Sequence, residues 1–312
     1  MKKLIALFIA CIMAVSMFSV VAYAEPEAEE EGKSYSIGFV CAALSLEFCS
    51  NLANSIETHC QERGWTVSVA DYGFDIGEML TKAENLINSG VDALILFPLA
   101  PDVCGPVTEG CEKANIPLIT VTSPITTDCT SSILVDYYEV GKMQAERGLE
   151  LCGDDAKFAC FQGPAEQQIF VDHRAGVEDT LNEAGAEIVG YDLTDNELDR
   201  GMAVTENWIQ GGIDFDCIIS SADGPAHGAI NALQGAGIDD VIVLSENGDT
   251  IGLEDVKAGT LNATVYVPSK LFGQYAVEVT EQILNGEEVE KEFYLPLEWV
   301  TAENVDEYLE EE

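Results

Sequence analysis

An α/β fold made of two doubly wound parallel-sheet lobes is what this 312-residue sequence predicts, on three observations. Short apolar runs alternate with helix-periodic segments, as they do where helices cover parallel sheets. The runs lack polar alternation, the signature of strands buried on both faces. The alternation also repeats. Val91-Asp92-Ala93-Leu94-Ile95 is echoed by Phe215-Asp216-Cys217-Ile218-Ile219. The Ala114-Asn115-Ile116-Pro117-Leu118-Ile119 segment after the first copy is matched, at nearly the same distance, by Ala236-Gly237-Ile238-Asp239-Asp240-Val241-Ile242. Two lobes of about 130–150 residues, an ordinary domain size, fit this length.

The elements follow in order. Ser36–Cys41 is a short buried strand, and residues 48–63 have helical spacing with Leu52, Ile56 and Cys60 on one face. A strand at 66–70 leads to a helix at 76–88, ended by Gly90. A strand at 93–97, a helix through Val107 and Cys111, and strands at 117–121 and 133–135 come next, then a helix at 140–151. The second half brings a strand at 158–161, a helix over Gln168–Ala184, a strand at 187–191, a helix at 203–210 and the strand Cys217–Ile219. A helix through Ile230 and Leu233, strands at 241–244 and 263–267, a helix at 271–284 and a short tail complete the chain. Ligands of such sheets bind beyond the carboxyl ends of the strands. Two facing lobes therefore enclose a ligand between their loops, and hinge closure buries it.

Charge excludes several functions. The chain carries 56 Asp and Glu against 14 Lys and Arg, a formal charge of -42. Nucleic acid and anionic lipid surfaces would both repel it. Four arginines and three histidines leave little for a coenzyme gripped by cations or for histidine- or metal-based chemistry. Neither cofactor nor metal is expected.

The N-terminus reads as an export signal over residues 1–24. Lys2 and Lys3 precede an apolar run at 4–21, then Ala22-Tyr23-Ala24 forms a small-x-small cleavage site. Phe8-Ile9-Ala10 before Cys11 matches a lipid-attachment site poorly. Residues 25–34 form an acidic linker with no apolar period. Loss of Cys11 leaves an odd number of cysteines and no Cys-x-x-Cys, so neither a zinc ribbon nor a redox dithiol is indicated. Buried free thiols are the default expectation.

Known chemical motifs are missing. The first strand continues into Cys41-Ala42-Ala43-Leu44-Ser45, with no dinucleotide fingerprint, and no Gly-x-Ser-x-Gly occurs. Gly32-Lys33-Ser34 stands before the first strand, where a phosphate loop cannot be. His59 reads as a helix-surface residue, His173 as either a cleft residue or a solvated helix start, and His227 as part of a helix's first turn. No enzyme activity is expected.

From Ser36 to Tyr308 the chain resembles the type I periplasmic sugar-binding proteins. The resemblance lies in Ile37-Gly38-Phe39, Gly90-Val91-Asp92-Ala93-Leu94-Ile95-Leu96-Phe97-Pro98, Asn115-Ile116-Pro117-Leu118-Ile119 and Asp136 with Gly141-Lys142. It continues in Gln162-Gly163-Pro164-Ala165, Leu261-Asn262-Ala263-Thr264-Val265 and Val300-Thr301-Ala302-Glu303-Asn304-Val305. It implies an exported monomer at the periplasmic or extracytoplasmic face that delivers a small solute to an ABC permease, or serves a membrane sensor kinase or chemoreceptor. It also implies a three-segment hinge near Val135-Asp136, Val267-Pro268 and Pro296. Residues 35–135 with 268–296 then form one lobe, and 136–267 with 297–312 the other.

At the ligand-reading positions the sequence departs from the sugar pattern. Phe48 keeps an aromatic for a ring face, but Phe97 stands where asparagine is common, and Thr122-Ser123 replaces an Asp-Arg pair. Arg174 lies one turn after the position where Val171 replaces an arginine. Asn196 stands at an aromatic position, Asn247 at an aspartate position, and Asp223 is retained. The candidate set is Phe48, Phe97, Ser123, Asp136, Tyr137, Gln167, Arg174, Asn196, Asp223 and Asn247. Each lost hydroxyl partner costs about 1–3 kcal/mol, so the ligand is expected to differ from ribose: a sugar derivative, polyol or other small neutral solute. An amine-bearing one remains open through Glu47, Asp136 and Asp223. Alanine at Asp223 or Asn247 is expected to weaken binding without unfolding the lobes.

Overall fold

Most of the predicted apolar runs form strands that pair with one another in two separate sheets. The computed structural model describes residues 33–164, 167–267 and 269–310. The export signal, Cys11, most of the acidic linker, Ala165 and Pro268 lie outside the described residues.

The first sheet contains β1 (Ser36–Cys41), β2 (Thr66–Asp71), β3 (Ala93–Leu96), β4 (Leu118–Thr122), β5 (Ser131–Leu134) and β11 (Glu292–Tyr294). Its order is β11-β5-β4-β3-β1-β2, parallel throughout. The second contains β6 (Lys157–Gln162), β7 (Glu187–Leu193), β8 (Cys217–Ile219), β9 (Ile242–Asn247), β10 (Ala263–Tyr266) and β12 (Glu298–Val300). Its order, β12-β10-β9-β8-β6-β7, repeats the first, except that β12 runs antiparallel to β10. In both sheets the order turns back on itself beside the first strand, β1 or β6. At such a switch the loops diverge and leave a crevice.

The helices are α1 (Glu47–Glu62), α2 (Ile76–Ser89), α3 (Gly105–Ala114), α4 (Tyr137–Cys152), α5 (Gln168–Ala184), α6 (Leu198–Gln210), α7 (Asp223–Ala236), α8 (Thr250–Ala258), α9 (Ser269–Leu284) and α10 (Val305–Glu310). Local chemistry sets several of their ends. Asp75 accepts from the Glu78 N–H to start α2, and Gly90 at φ 81° closes it. Asp136 starts α4 by accepting from the Glu139 N–H. Helices α4 and α5 pack so closely at Gly176 that a Cβ there would collide with the Tyr138 carbonyl oxygen.

The chain crosses between the sheets three times. It leaves the first sheet after β5, and α4 packs against α5 and β9 of the second. It returns between β10 and α9, which lies on α1 and β4, and crosses again between β11 and β12. One continuous core surrounds the first sheet, with Phe39, Leu94, Ile95 and Ile119 fully buried. Along β6, side chains alternate between two cores. Ala159 and Phe161 join Trp208 and Phe215 on one face, while Phe158 and Cys160 join Val177 and Leu181 on the other.

Several elements lie beyond the sequence reading. The nine-residue α8 separates β9 from β10, which had read as consecutive strands. Strands β11 and β12 have three residues each, too short to show a period, and α10 is a further part of the supposed tail. His173 is neither a cleft residue nor solvated. It is 1% exposed between α4 and α5, its Nε2 lies 2.6 Å from Gln144 Oε1, and burial lowers its pKa to about 4. His59 sits beside Glu62, and His227 beside Asp255 at 2.6 Å. The nine described cysteines are free, and seven of them are buried.

Candidate ligand-binding cleft

Segments at or beyond the carboxyl ends of eight strands converge on one cavity of about 1080 Å³. The first sheet supplies Phe48 beyond β1, Phe97 beyond β3 and Tyr137 beyond β5. The second supplies Gln167 beyond β6, Asn196 beyond β7, Ser221 and Ala222 beyond β8, and Glu246 and Asn247 at the end of β9. This is where doubly wound sheets place ligands.

The wall from the first sheet is aromatic and braced. Phe97 is 7% exposed. Phe48 meets it edge-on at 6.5 Å and meets Phe272 at 6.0 Å. The Tyr72 hydroxyl donates to the Phe97 carbonyl at 3.0 Å and fixes the backbone that carries the ring. An aromatic face held this way suits the C–H face of a sugar or cyclitol ring.

The opposite wall is polar and conformationally unusual. Asn196 has φ 59°, Asp195 φ 50° and Asn247 φ 110°. Positive φ is uncommon outside glycine, and short Asn and Asp side chains tolerate it best. Such geometry turns the strand ends toward the cavity. Asn247 Nδ2 also donates to Asp249 Oδ2 at 3.3 Å. Glu47, at the start of α1, accepts from the Thr250 N–H at 3.0 Å and its hydroxyl at 2.6 Å, at the start of α8. This contact joins α1, on the first sheet's side, to the start of α8, on the second's.

Of the residues singled out in the sequence, the cavity brings together Phe48, Phe97, Tyr137, Gln167, Asn196 and Asn247. Four stand outside its lining. Ser123 is buried, its N–H donating to the Val121 carbonyl. Asp136 is the exposed cap of α4. Arg174 is held by Glu178 Oε1 at 2.7 Å and Gln162 Oε1 at 3.0 Å, with its guanidinium over the Tyr191 ring at 4.2 Å. Asp223 lies wholly buried behind the wall, accepting from the Ser245 hydroxyl, the Thr264 hydroxyl at 2.8 Å and the Asp249 N–H at 2.7 Å. Its carboxylate is committed to holding the β9 end and the following loop, which revises the expectation that its loss leaves the lobe intact.

Glu246 was missed. It is 1% exposed, lines the cavity, and its Oε2 has no hydrogen-bond partner among the described residues. The strand had read as ending at Leu244, yet β9 runs on through Ser245 and Glu246 to Asn247. A carboxylate within a run flanked by buried parallel strands was the available signal.

Burial, with the Asp223 charge beside it, pushes the Glu246 carboxyl well above its ordinary value of 4.5. Burial raises Asp223 to about 7, opposed by its hydrogen-bond donors. Both groups hold protons in the folded protein more tightly than in the unfolded chain. The stability they contribute is fully present below about pH 4 and is lost as pH rises through their folded values. The thermal midpoint of the ligand-free protein is expected to fall between pH 5 and pH 8, and Glu246→Gln to flatten that fall. An equally steep fall in the variant would contradict the assignment. Among the described residues, no group of three or more His, Cys, Asp or Glu could hold a metal ion, and no helix is long and apolar enough to cross a membrane.

Comparison with known proteins agrees with this geometry. A model described as a periplasmic binding protein domain matches residues 37–288. The ribose import binding protein of Bacillus subtilis is 26% identical over 309 residues, covering 96% of this chain and 99% of its own. A putative rhizopine-binding protein of Rhizobium meliloti is 27% identical, covering 99% of each. Among solved structures, an ABC transporter solute binding protein from Bacillus halodurans with bound myo-inositol superposes at a TM-score of 0.84, with 27% identity, over 90% of this chain and 99% of its own.

Proposed function

We propose that this chain, which belongs to the periplasmic binding protein family, is an exported receptor. It captures a small sugar, sugar derivative or polyol between its lobes and delivers it to an ABC importer. The observation that carries this reading is the cavity itself, at the carboxyl ends of both sheets, with a braced aromatic wall facing strand-end amides. Relatives named for ribose import and a structural neighbour holding myo-inositol support the same ligand class.

The reading requires binding without turnover. Phe48 and Phe97 cover the apolar face of a ring, while Tyr137, Gln167, Asn196 and Asn247 offer hydrogen-bond partners to its hydroxyls. Closure shields these bonds from water, and the Glu47 contact with Thr250 holds the closed form. The protein acts as a monomer, and the importer reads the outer faces of the closed lobes.

A thermal-shift screen against sugars, polyols, amino sugars, amino acids and nucleosides tests the proposal. A ligand at 100 times its dissociation constant stabilises the fold by about 2.7 kcal/mol. A shift with members of the sugar and polyol classes is expected. Shifts confined to amino acids or nucleosides would overturn the reading.

A further inference from the structure

The cavity is acidic in a way that neutral sugars do not require. Six carboxylates line it: Glu47, Asp75, Asp195, Glu197, Glu246 and Asp249. Among the described residues, no Lys, Arg or His joins them.

Most of these acids have local roles. Glu47 accepts from Thr250, and Asp75 caps α2. Asp195 and Glu197 both pair with Arg200, and Asp249 accepts from Asn247. Glu246 differs. It is the buried one, and its Oε2 meets no donor among the described residues. The titratable groups acting on it or feeling it are Asp223, Tyr137 and Tyr191, none of them cationic. Arg174, stacked on Tyr191, is held by Glu178 and Gln162. A buried carboxylate without a counter-charge is costly, and a partner that supplies one recovers much of that cost.

We propose that the ligand's ammonium group is this missing partner: the cleft takes an amine-bearing sugar or polyol, and Glu246 selects it. This inference rests on the sugar and polyol reading above and narrows it. A neutral solute would leave Glu246 facing a hydroxyl, whereas an ammonium gives a charge-assisted hydrogen bond to a buried carboxylate. The chain's formal charge of -42 also favours approach of a cation over that of an anion.

Calorimetric titration with matched pairs tests it: D-glucosamine with D-glucose, D-galactosamine with D-galactose, and 1-amino-1-deoxysorbitol with sorbitol. In at least one pair the amine is expected to bind roughly 10- to 100-fold more tightly than its neutral twin, the range for a hydrogen bond to a charged group. Glu246→Gln, which keeps the shape and removes the charge, is expected to abolish that preference, so that each amine binds no more tightly than its neutral twin. Equal or tighter binding of the neutral twins to the unmodified protein would overturn the inference and leave the sugar and polyol reading standing. Binding of neither member of any pair, together with no shift from any sugar, amino sugar or polyol in the thermal screen, would overturn both. The comparison on the unmodified protein decides the matter even if the variant folds poorly.

Discussion

Asp223→Ala is expected to destabilise the second lobe by about 3–5 kcal/mol, the cost of breaking a buried polar network by removing one partner. The carboxylate receives the Ser245 and Thr264 hydroxyls and the Asp249 N–H, and it fills the space beside Gly252, where a Cβ would strike it. Alanine leaves those donors buried without an acceptor and opens a hole between α7, β9 and α8. The urea midpoint should fall with little change in the denaturant slope. A loss below about 1 kcal/mol would show that water or rotated hydroxyls replace the carboxylate without penalty.

Phe97→Ala is expected to cost about 3–5 kcal/mol of stability, as large-to-small core changes of phenylalanine do, and to abolish measurable ligand binding. The ring is almost fully buried, meets Phe48 edge-on and is held through the Tyr72 hydroxyl. Phe97→Leu separates packing from recognition. Leucine keeps most of the volume, so stability should fall by roughly 1.5 kcal/mol or less. It cannot present a flat face, so affinity should still drop about tenfold, near the upper end of what an aromatic contact contributes beyond its area. Unfolding curves and calorimetry on both variants check this. Unchanged affinity in Phe97→Leu would remove Phe97 from the ligand wall.

Much of the fold was legible because long buried strands and amphipathic helices leave strong periodic marks. The helix over Gln168–Ala184 falls where the spacing put it, and the two echoing segments around Ala93 and Cys217 occupy β3 and β8. Short elements were not legible. Strands β11 and β12 form only because neighbouring edges offer unpaired backbone groups, a tertiary cause that a three-residue segment cannot announce. Helix α8 was hidden because nine residues between two apolar runs carry little helical period of their own.

The cleft was legible by position more than by chemistry. The resemblance to the sugar-binding family pointed to Phe97, Tyr137, Asn196 and Asn247, which the cavity brings together. Chain position did not reveal which way each side chain faces. Asp223 begins α7 with its carboxylate turned into the lobe, while Glu246, inside a strand, meets the cavity. A strand's pleat and a helix's first turn send neighbouring side chains in opposite directions. That orientation emerges only when the sheet is assembled.

The most direct test of a solute receptor with an interlobe cleft is a crystal structure of the protein with the strongest hit from the ligand screen. The expected result is a sugar or polyol ring against Phe97, with its polar groups within hydrogen-bond reach of Asn196 and Asn247, and Glu47 still joined to Thr250. A ligand seated outside the cleft, or an empty cleft at saturating concentration, would contradict the account.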